Sequence, residues 1–266
     1  VKPYRPNFRR YMIMGERKAV LALSAHPDDA EFMCAGTMAL LHQMGWEVHI
    51  GTMTPGDCGS AEYNREEISR IRRAEAAKSV EILDGTYHCL ECDDVFIMYD
   101  RQTLLKAIKL MREVVPAIVF APSPSDYMID HETTSRIAQT ACFACGMPNI
   151  EIEGVEPFEP VPYLYYVDPV EGLDILGSHI RPGIFVDISS VMDTKEEMLC
   201  CHESQRNWLL VHHGMDEYVI SMKRFSQLRG REIGSTYAEG FRQHLGHGYP
   251  HDNILKSILG DLVHRK

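Results

Sequence analysis

The chain has 266 residues, 45% of them hydrophobic, enough to bury a sizeable core in one large α/β domain. Its formal net charge of −11 at pH 7 argues against a nucleic-acid partner, whose phosphates must be neutralised by Lys and Arg. No apolar run approaches the roughly 20 residues needed to cross a bilayer, so no membrane span is expected.

Residues 1–18 form a basic, aromatic arm, with Lys2, Arg5, Arg9, Arg10, Arg17 and Lys18 against Glu16, interleaved with Tyr4, Phe8 and Tyr11. Such an arm suits packing across a neighbouring subunit or docking on its own surface. No signal peptide is seen at the start, so a cytoplasmic protein with reduced thiols is expected, while the opening on Val instead of Met leaves an upstream segment and targeting open; a single domain is expected over residues 19–266. Ala19 to Ala25 is short, apolar and uncharged and reads as a strand buried on both faces. Helical spacing then runs from Glu31 to Met44. Between them lies His26-Pro27-Asp28-Asp29, a strand-to-helix turn that can aim an imidazole and a carboxylate of His26 and Asp29 at one divalent cation. The other reading of the same residues is an Asp helix cap beside a solvated histidine.

Glu47 to Met53 reads as a second strand and Arg65 to Leu83 as a long amphipathic helix. The polar loop between them, Thr54 to Asn64, contains Asp57, which suits either a hydrogen bond to a substrate hydroxyl or stabilisation of the turn. Thr86 to Cys92 is a third strand, Arg101 to Val114 a helix, and Ala117 to Ala121 a fourth strand. After a Pro-Ser-Pro-Ser loop comes Asp126-Tyr127-Met128-Ile129-Asp130-His131, with a helix expected to start near Glu132 to Thr134. The alternation implies a Rossmann-like, mainly parallel sheet flanked by helices, with an elaborated C-terminal part. In such sheets polar loops after buried strands meet where strand order reverses, which makes His131 the third ligand beside His26 and Asp29. Two histidines and one carboxylate leave a coordination position open, as catalytic zinc requires.

Further on, Tyr163 to Val167 and Ile184 to Ile188 read as strands, and Val191 to Val211, Met215 to Leu228 and Asn253 to His264 as helices. Eight cysteines include the pairs Cys89/Cys92 and Cys142/Cys145, whose spacing suits either a second metal or thiols packed as small hydrophobes. A dinucleotide is not expected, because the first strand leads into two carboxylates and not into Gly-x-Gly-x-x-Gly.

The motifs His26-Pro27-Asp28-Asp29, Thr54-Pro55-Gly56-Asp57-Cys58-Gly59-Ser60, Asp126-Tyr127 and Asp130-His131 resemble the LmbE/PIG-L family of zinc-dependent de-N-acetylases. Arg72-x-x-Glu75, Phe185 to Ser189, Lys195 and His202-x-Ser204-Gln205 follow in the family's order. The resemblance implies removal of an acetyl group from an N-acetylated amino sugar or sugar conjugate. His26, Asp29 and His131 would hold Zn²⁺, with Fe²⁺, Mn²⁺ or Co²⁺ able to take the same ligands. Asp28 would be the base that deprotonates the attacking water, and Asp130 would tune a catalytic histidine. Arg72, Asp57 and Tyr127 would face substrate, the alternative for Arg72 being an exposed helix arginine. A homo-oligomer, trimeric or hexameric, is also implied.

In one place the chain departs from the family. Met128 stands where many members carry the histidine that protonates the leaving amine, and a thioether cannot do that. Tyr127, His202, His212, His213, His244 and His247 are the candidates to replace it. The alternative function is a metal-containing sugar-binding protein or pseudoenzyme without deacetylase activity.

Overall fold

In the computed structural model, residues 18–206 and 217–266 are described; the basic arm before Lys18 and the histidines His212 and His213 lie outside them. Buried apolar residues form the strands β1 (Ala19–Ser24), β2 (Glu47–Thr52), β3 (Thr86–Cys89), β4 (Ile118–Ala121) and β5 (Tyr163–Val167), which pair in parallel in the order β3-β2-β1-β4-β5. The chain moves outward from β1 through β2 to β3, then returns to place β4 on the other side of β1. Strand order therefore reverses between β1 and β4, and the loops leaving these two strands open a crevice at their carboxyl ends.

The connections are helical, and two of them carry the terminal signals their sequences advertise. Asn64 and Glu67 form a reciprocal capping box on α3 (Arg65–Glu81), and Asp100 caps α4 (Arg101–Val114) by accepting from the Thr103 N–H. The helix expected over Glu31 to Met44 is two helices, α1 (Asp29–Met33) and α2 (Ala35–Gln43), broken at Cys34. The break lets the N-terminus of α2 meet a buried carboxylate. Glu239 accepts from the Gly36 and Thr37 N–H groups at 2.9 and 2.7 Å and from Lys195 Nζ at 2.5 Å. Gly36 is required there, because a Cβ would lie 2.8 Å from the Ile188 side chain. The next helix, α5 (Ile129–Ala144), begins three residues earlier than expected.

The sheet continues in a different sense. Strand β6 (Ile184–Asp187) is followed by α6 (Met192–Cys200), α7 (Glu217–Ile233), β7 (Ala238–Gln243), α8 (Ile254–Leu259) and β8 (Val263–Arg265). These three strands extend the sheet as β5-β7-β6-β8, every pairing antiparallel. Three expectations are corrected here. The helix expected to 264 ends at Gly260, whose φ of +56° stops it, and Val263 then pairs with Val186. The helix expected from Val191 ends at Cys200, with a separate helical stretch over 203–206. Strand β7 was not foreseen, because Glu239, Gly240 and Arg242 break its apolar pattern. The Phe120, Tyr165 and Phe241 rings, 5.0 to 6.0 Å apart at their centroids, join the parallel and antiparallel parts of the sheet into one buried layer. Cys142 and Cys145 are buried in the core beside α4.

Candidate metal and catalytic site

The turn after β1 carries the first two ligand candidates. Asp29 Oδ2 accepts from the backbone N–H groups of Ala25 and His26 at 3.1 and 2.9 Å, closing the turn and leaving Oδ1 for other partners. Asp28 is left-handed, with φ +99°, a conformation that costs a non-glycine residue energy and recurs at functional sites. His131, in the first turn of α5, reaches back so that its Nε2 is 3.4 Å from Asp29 Oδ1, while His26 Nδ1 is 3.6 Å from Asp29 Oδ2. One donor atom from each of His26, Asp29 and His131 lies within 4.8 Å of the other two.

Each imidazole is oriented through its other nitrogen. Asp126 Oδ1 is 2.9 Å from His131 Nδ1, and Asp94 Oδ1 and Asp130 Oδ2 are 3.0 and 3.3 Å from His26 Nε2. Carboxylate partners of this kind fix ring orientation and raise ligand basicity in metal centres. The residues therefore fit a divalent cation: two nitrogens and a carboxylate oxygen face one point, and the remaining ring nitrogens are already engaged. The electrostatics agree. Burial works against charge on both histidines, but Asp130, Asp29 and Asp94 hold His26 well above its usual range, and Asp29 with Asp126 pushes His131 up to about 10. Asp29, although its partial burial works against charge, is held well below the carboxylate range by His131 and His26. The cluster is built for positive charge.

Asp28 sits in a different environment. Its Oδ2 accepts from the Tyr218 hydroxyl at 2.5 Å and lies 3.4 Å from Arg72 Nη2. Burial raises its pKa, against the pull of Arg72. Beneath it, His202 Nε2 is 3.0 Å from Glu31 Oε1, with both side chains fully buried. The family-like residues of the C-terminal part form a strut: Ser204 donates from N and Oγ to Glu75 at 2.7 and 2.6 Å, and Gln205 donates to the Gly59 carbonyl.

The remaining candidates are placed as follows. Arg72 is buried, not an exposed helix arginine, and donates to the carbonyls of Pro27 (2.7 Å) and Gly56 (3.2 Å). Gly56, at φ +69°, leaves room for that guanidinium, 2.2 Å from where a Cβ would be. Asp57 bonds Arg65 and accepts from the Asp94 N–H, which ties the loop after β2 to the loop after β3. Asp130 accepts from the Val95 N–H at 2.8 Å in addition to its contact with His26, so it has partners without the family's histidine. Of the candidate proton donors, Tyr127 presents its ring edge to His131, at 5.4 Å between centroids. His202 is enclosed below Asp28, and His244 bonds the Tyr166 hydroxyl and packs on Tyr249. Met128 is half-buried at the cap of α5.

Two site residues escaped the sequence reading. Asp94 had a signal, the acidic pair Asp93-Asp94 in the loop after β3, which leaves the sheet at the same end as the ligand-bearing segments after β1 and β4. Tyr218 had none, being 190 residues from its partner Asp28.

Residues 21–142 match the family model described as PIG-L: GlcNAc-PI de-N-acetylase. The diacetylchitobiose deacetylase of Thermococcus kodakarensis is 27% identical over 235 residues, 85% of this chain and 82% of that one. The 4-oxalmesaconate hydratase of Pseudomonas putida is also 27% identical, over 244 residues, 85% of this chain and 89% of that one. The solved N,N'-diacetylchitobiose deacetylase of Pyrococcus horikoshii superposes with a TM-score of 0.74 at 26% identity, over 90% of this chain and 89% of that one. All of these relatives are enzymes by name, so the non-catalytic reading is not favoured. With its motifs in the family's order and these matches over most of its length, the chain is similar to the deacetylases of the PIG-L/LmbE family.

Proposed function

We propose that the protein is a metal-dependent hydrolase that removes an acetyl group from the nitrogen of an amino sugar or its conjugate. The observation that carries this reading is the juxtaposition of an oriented two-histidine, one-carboxylate donor set with Asp28, a separately held carboxylate. His26, Asp29 and His131 hold the cation, with zinc the first candidate from the nitrogen and oxygen donors. Such a cation supplies acidity to water and polarises an acyl carbonyl. Asp28 takes the proton of the attacking water at Oδ1, since Oδ2 is engaged by Tyr218 and faces Arg72. Arg72 fixes the Asp28 turn through the Pro27 carbonyl. Tyr127, beside His131, is the nearest candidate to protonate the departing amine.

The test is acetate release from a panel of N-acetylated sugars by metal-loaded protein, with metal content measured in parallel. Met128→His is expected to raise turnover several-fold by restoring a leaving-group acid. A metal-replete protein that releases no acetate from any member of the panel overturns the reading.

Met128 favours one second reading. Addition of water to a carbon–carbon double bond puts the hydroxyl on one carbon and a proton on the other and expels no amine, so it needs no leaving-group acid, and one relative is named a hydratase. In that case Met128→His brings no gain, and the protein hydrates an unsaturated acid while leaving acetamides intact.

A further inference from the structure

The loop after β3 is built to serve the site from behind and to present apolar side chains in front. Asp94 contacts His26, and its other carboxylate oxygen accepts from the Cys58 N–H at 2.9 Å. The next residue, Val95, adopts φ +72°, a genuine outlier for a β-branched side chain, and is held there by the 2.8 Å bond from its N–H to Asp130. With Asp94 and the Val95 N–H directed inward in this way, the loop leaves Val95 57% exposed and Phe96 68% exposed. Asp130 also brings the loop beside the start of α5, where Tyr127 and Ile129 are 61% and 69% exposed. Met98, 62% exposed, extends the same loop. Single exposed apolar residues are ordinary, but five large ones on a loop and on the start of a helix that hydrogen-bond to each other mark a binding surface.

The position of this rim selects its occupant. Asp94 and Asp130, at the base of these two segments, both contact His26, so the rim borders the triad and can meet part of a molecule reacting there. Charge narrows the choice further. Asp93 and Asp94 directly precede the rim residues and Asp57 accepts from the Asp94 N–H, while Arg65 is tied to Asp57 and Asp93 and Arg72 is engaged by backbone carbonyls and by Asp28. A carboxylate or phosphate on the substrate would meet net negative charge there.

We propose that Val95, Phe96, Met98, Tyr127 and Ile129 bind an uncharged apolar aglycone, so that the preferred substrate is an N-acetylated sugar carrying an aryl or alkyl group. The proposal rests on the deacetylase reading and is tested so that the two fail separately. Acetate release is measured for N-acetylglucosamine, its octyl and 4-nitrophenyl β-glycosides and its 1-phosphate. The expected result is a kcat/KM about tenfold or more higher for the octyl glycoside than for the free sugar, in line with burial of part of an alkyl chain. Phe96→Ser and Ile129→Ser are expected to bring that ratio to within about threefold of one, with melting temperatures confirming that the variants fold. Equal rates for octyl glycoside and free sugar, or preference for the 1-phosphate, overturn the proposal. So does a ratio unmoved by either variant while sedimentation shows an altered oligomer, because the rim is then a contact between copies of the chain. If no probe releases acetate, the deacetylase reading fails, and calorimetric binding of the octyl glycoside decides the rim: binding lost in Phe96→Ser supports it, and no binding to the unmodified protein overturns it.

Discussion

The parallel part of the sheet, β1 to β5, and the antiparallel part, β6 to β8, contribute to the site in opposite ways. The parallel part supplies the residues of the proposed reaction centre, each from a loop or first helical turn that follows the carboxyl end of a strand: His26, Asp28 and Asp29 after β1, Asp94 after β3, and Asp126, Asp130 and His131 after β4. The C-terminal half supplies support from the side and from below. Tyr218 of α7 holds Asp28, His202 packs against Glu31, and Glu239 of β7 with Lys195 of α6 anchors the start of α2. The difference follows from topology. A switch point gathers loop side chains at one end of parallel strands, whereas antiparallel strands alternate direction and send consecutive loops to opposite ends.

This division of labour can be broken at four points. His131→Ala removes a ligand candidate, so bound metal and activity are expected to disappear together, as read by elemental analysis and acetate release. Asp28→Asn keeps the donor set and removes the proton acceptor; activity is expected to fall about a thousandfold while metal content stays full. Loss of the metal in that variant would merge two roles that the geometry keeps apart. Lys195→Met strips the cation from a buried carboxylate that retains its three other donors. It is expected to cost about 3 kcal/mol of stability in denaturant unfolding, with kcat per folded molecule little changed. Tyr218→Phe should have the smallest effect, a fall of about tenfold in kcat with KM and metal content held, because it frees one oxygen of Asp28 without emptying the site.

Legibility in the sequence follows the same division. The buried parallel strands are continuous apolar runs, and β5 lies at the expected residues, Tyr163 to Val167, as does α4, Arg101 to Val114. His26, Asp29 and His131 could be named because each stands within ten residues of such a run. Strand β7 could not be read, because its buried Glu239 is neutralised by Lys195 and by two backbone donors far away in sequence. Arg72 looked like a surface residue from its helix alone, and its burial depends on the carbonyls of Pro27 and Gly56.

Local chemistry, then, was written in the chain itself: apolar runs that must be buried, capping residues that start helices, and histidine and carboxylate pairs at the ends of strands. Only the folded chain decided which second partners those groups have, that Asp94 stands behind His26, that Tyr218 holds Asp28, and that Val95 is strained to leave an apolar rim in front. These are contacts between residues 35 to 190 positions apart. Spacing along a sequence reports neighbours within a turn or a strand, while long-range contacts are set by how the layers pack.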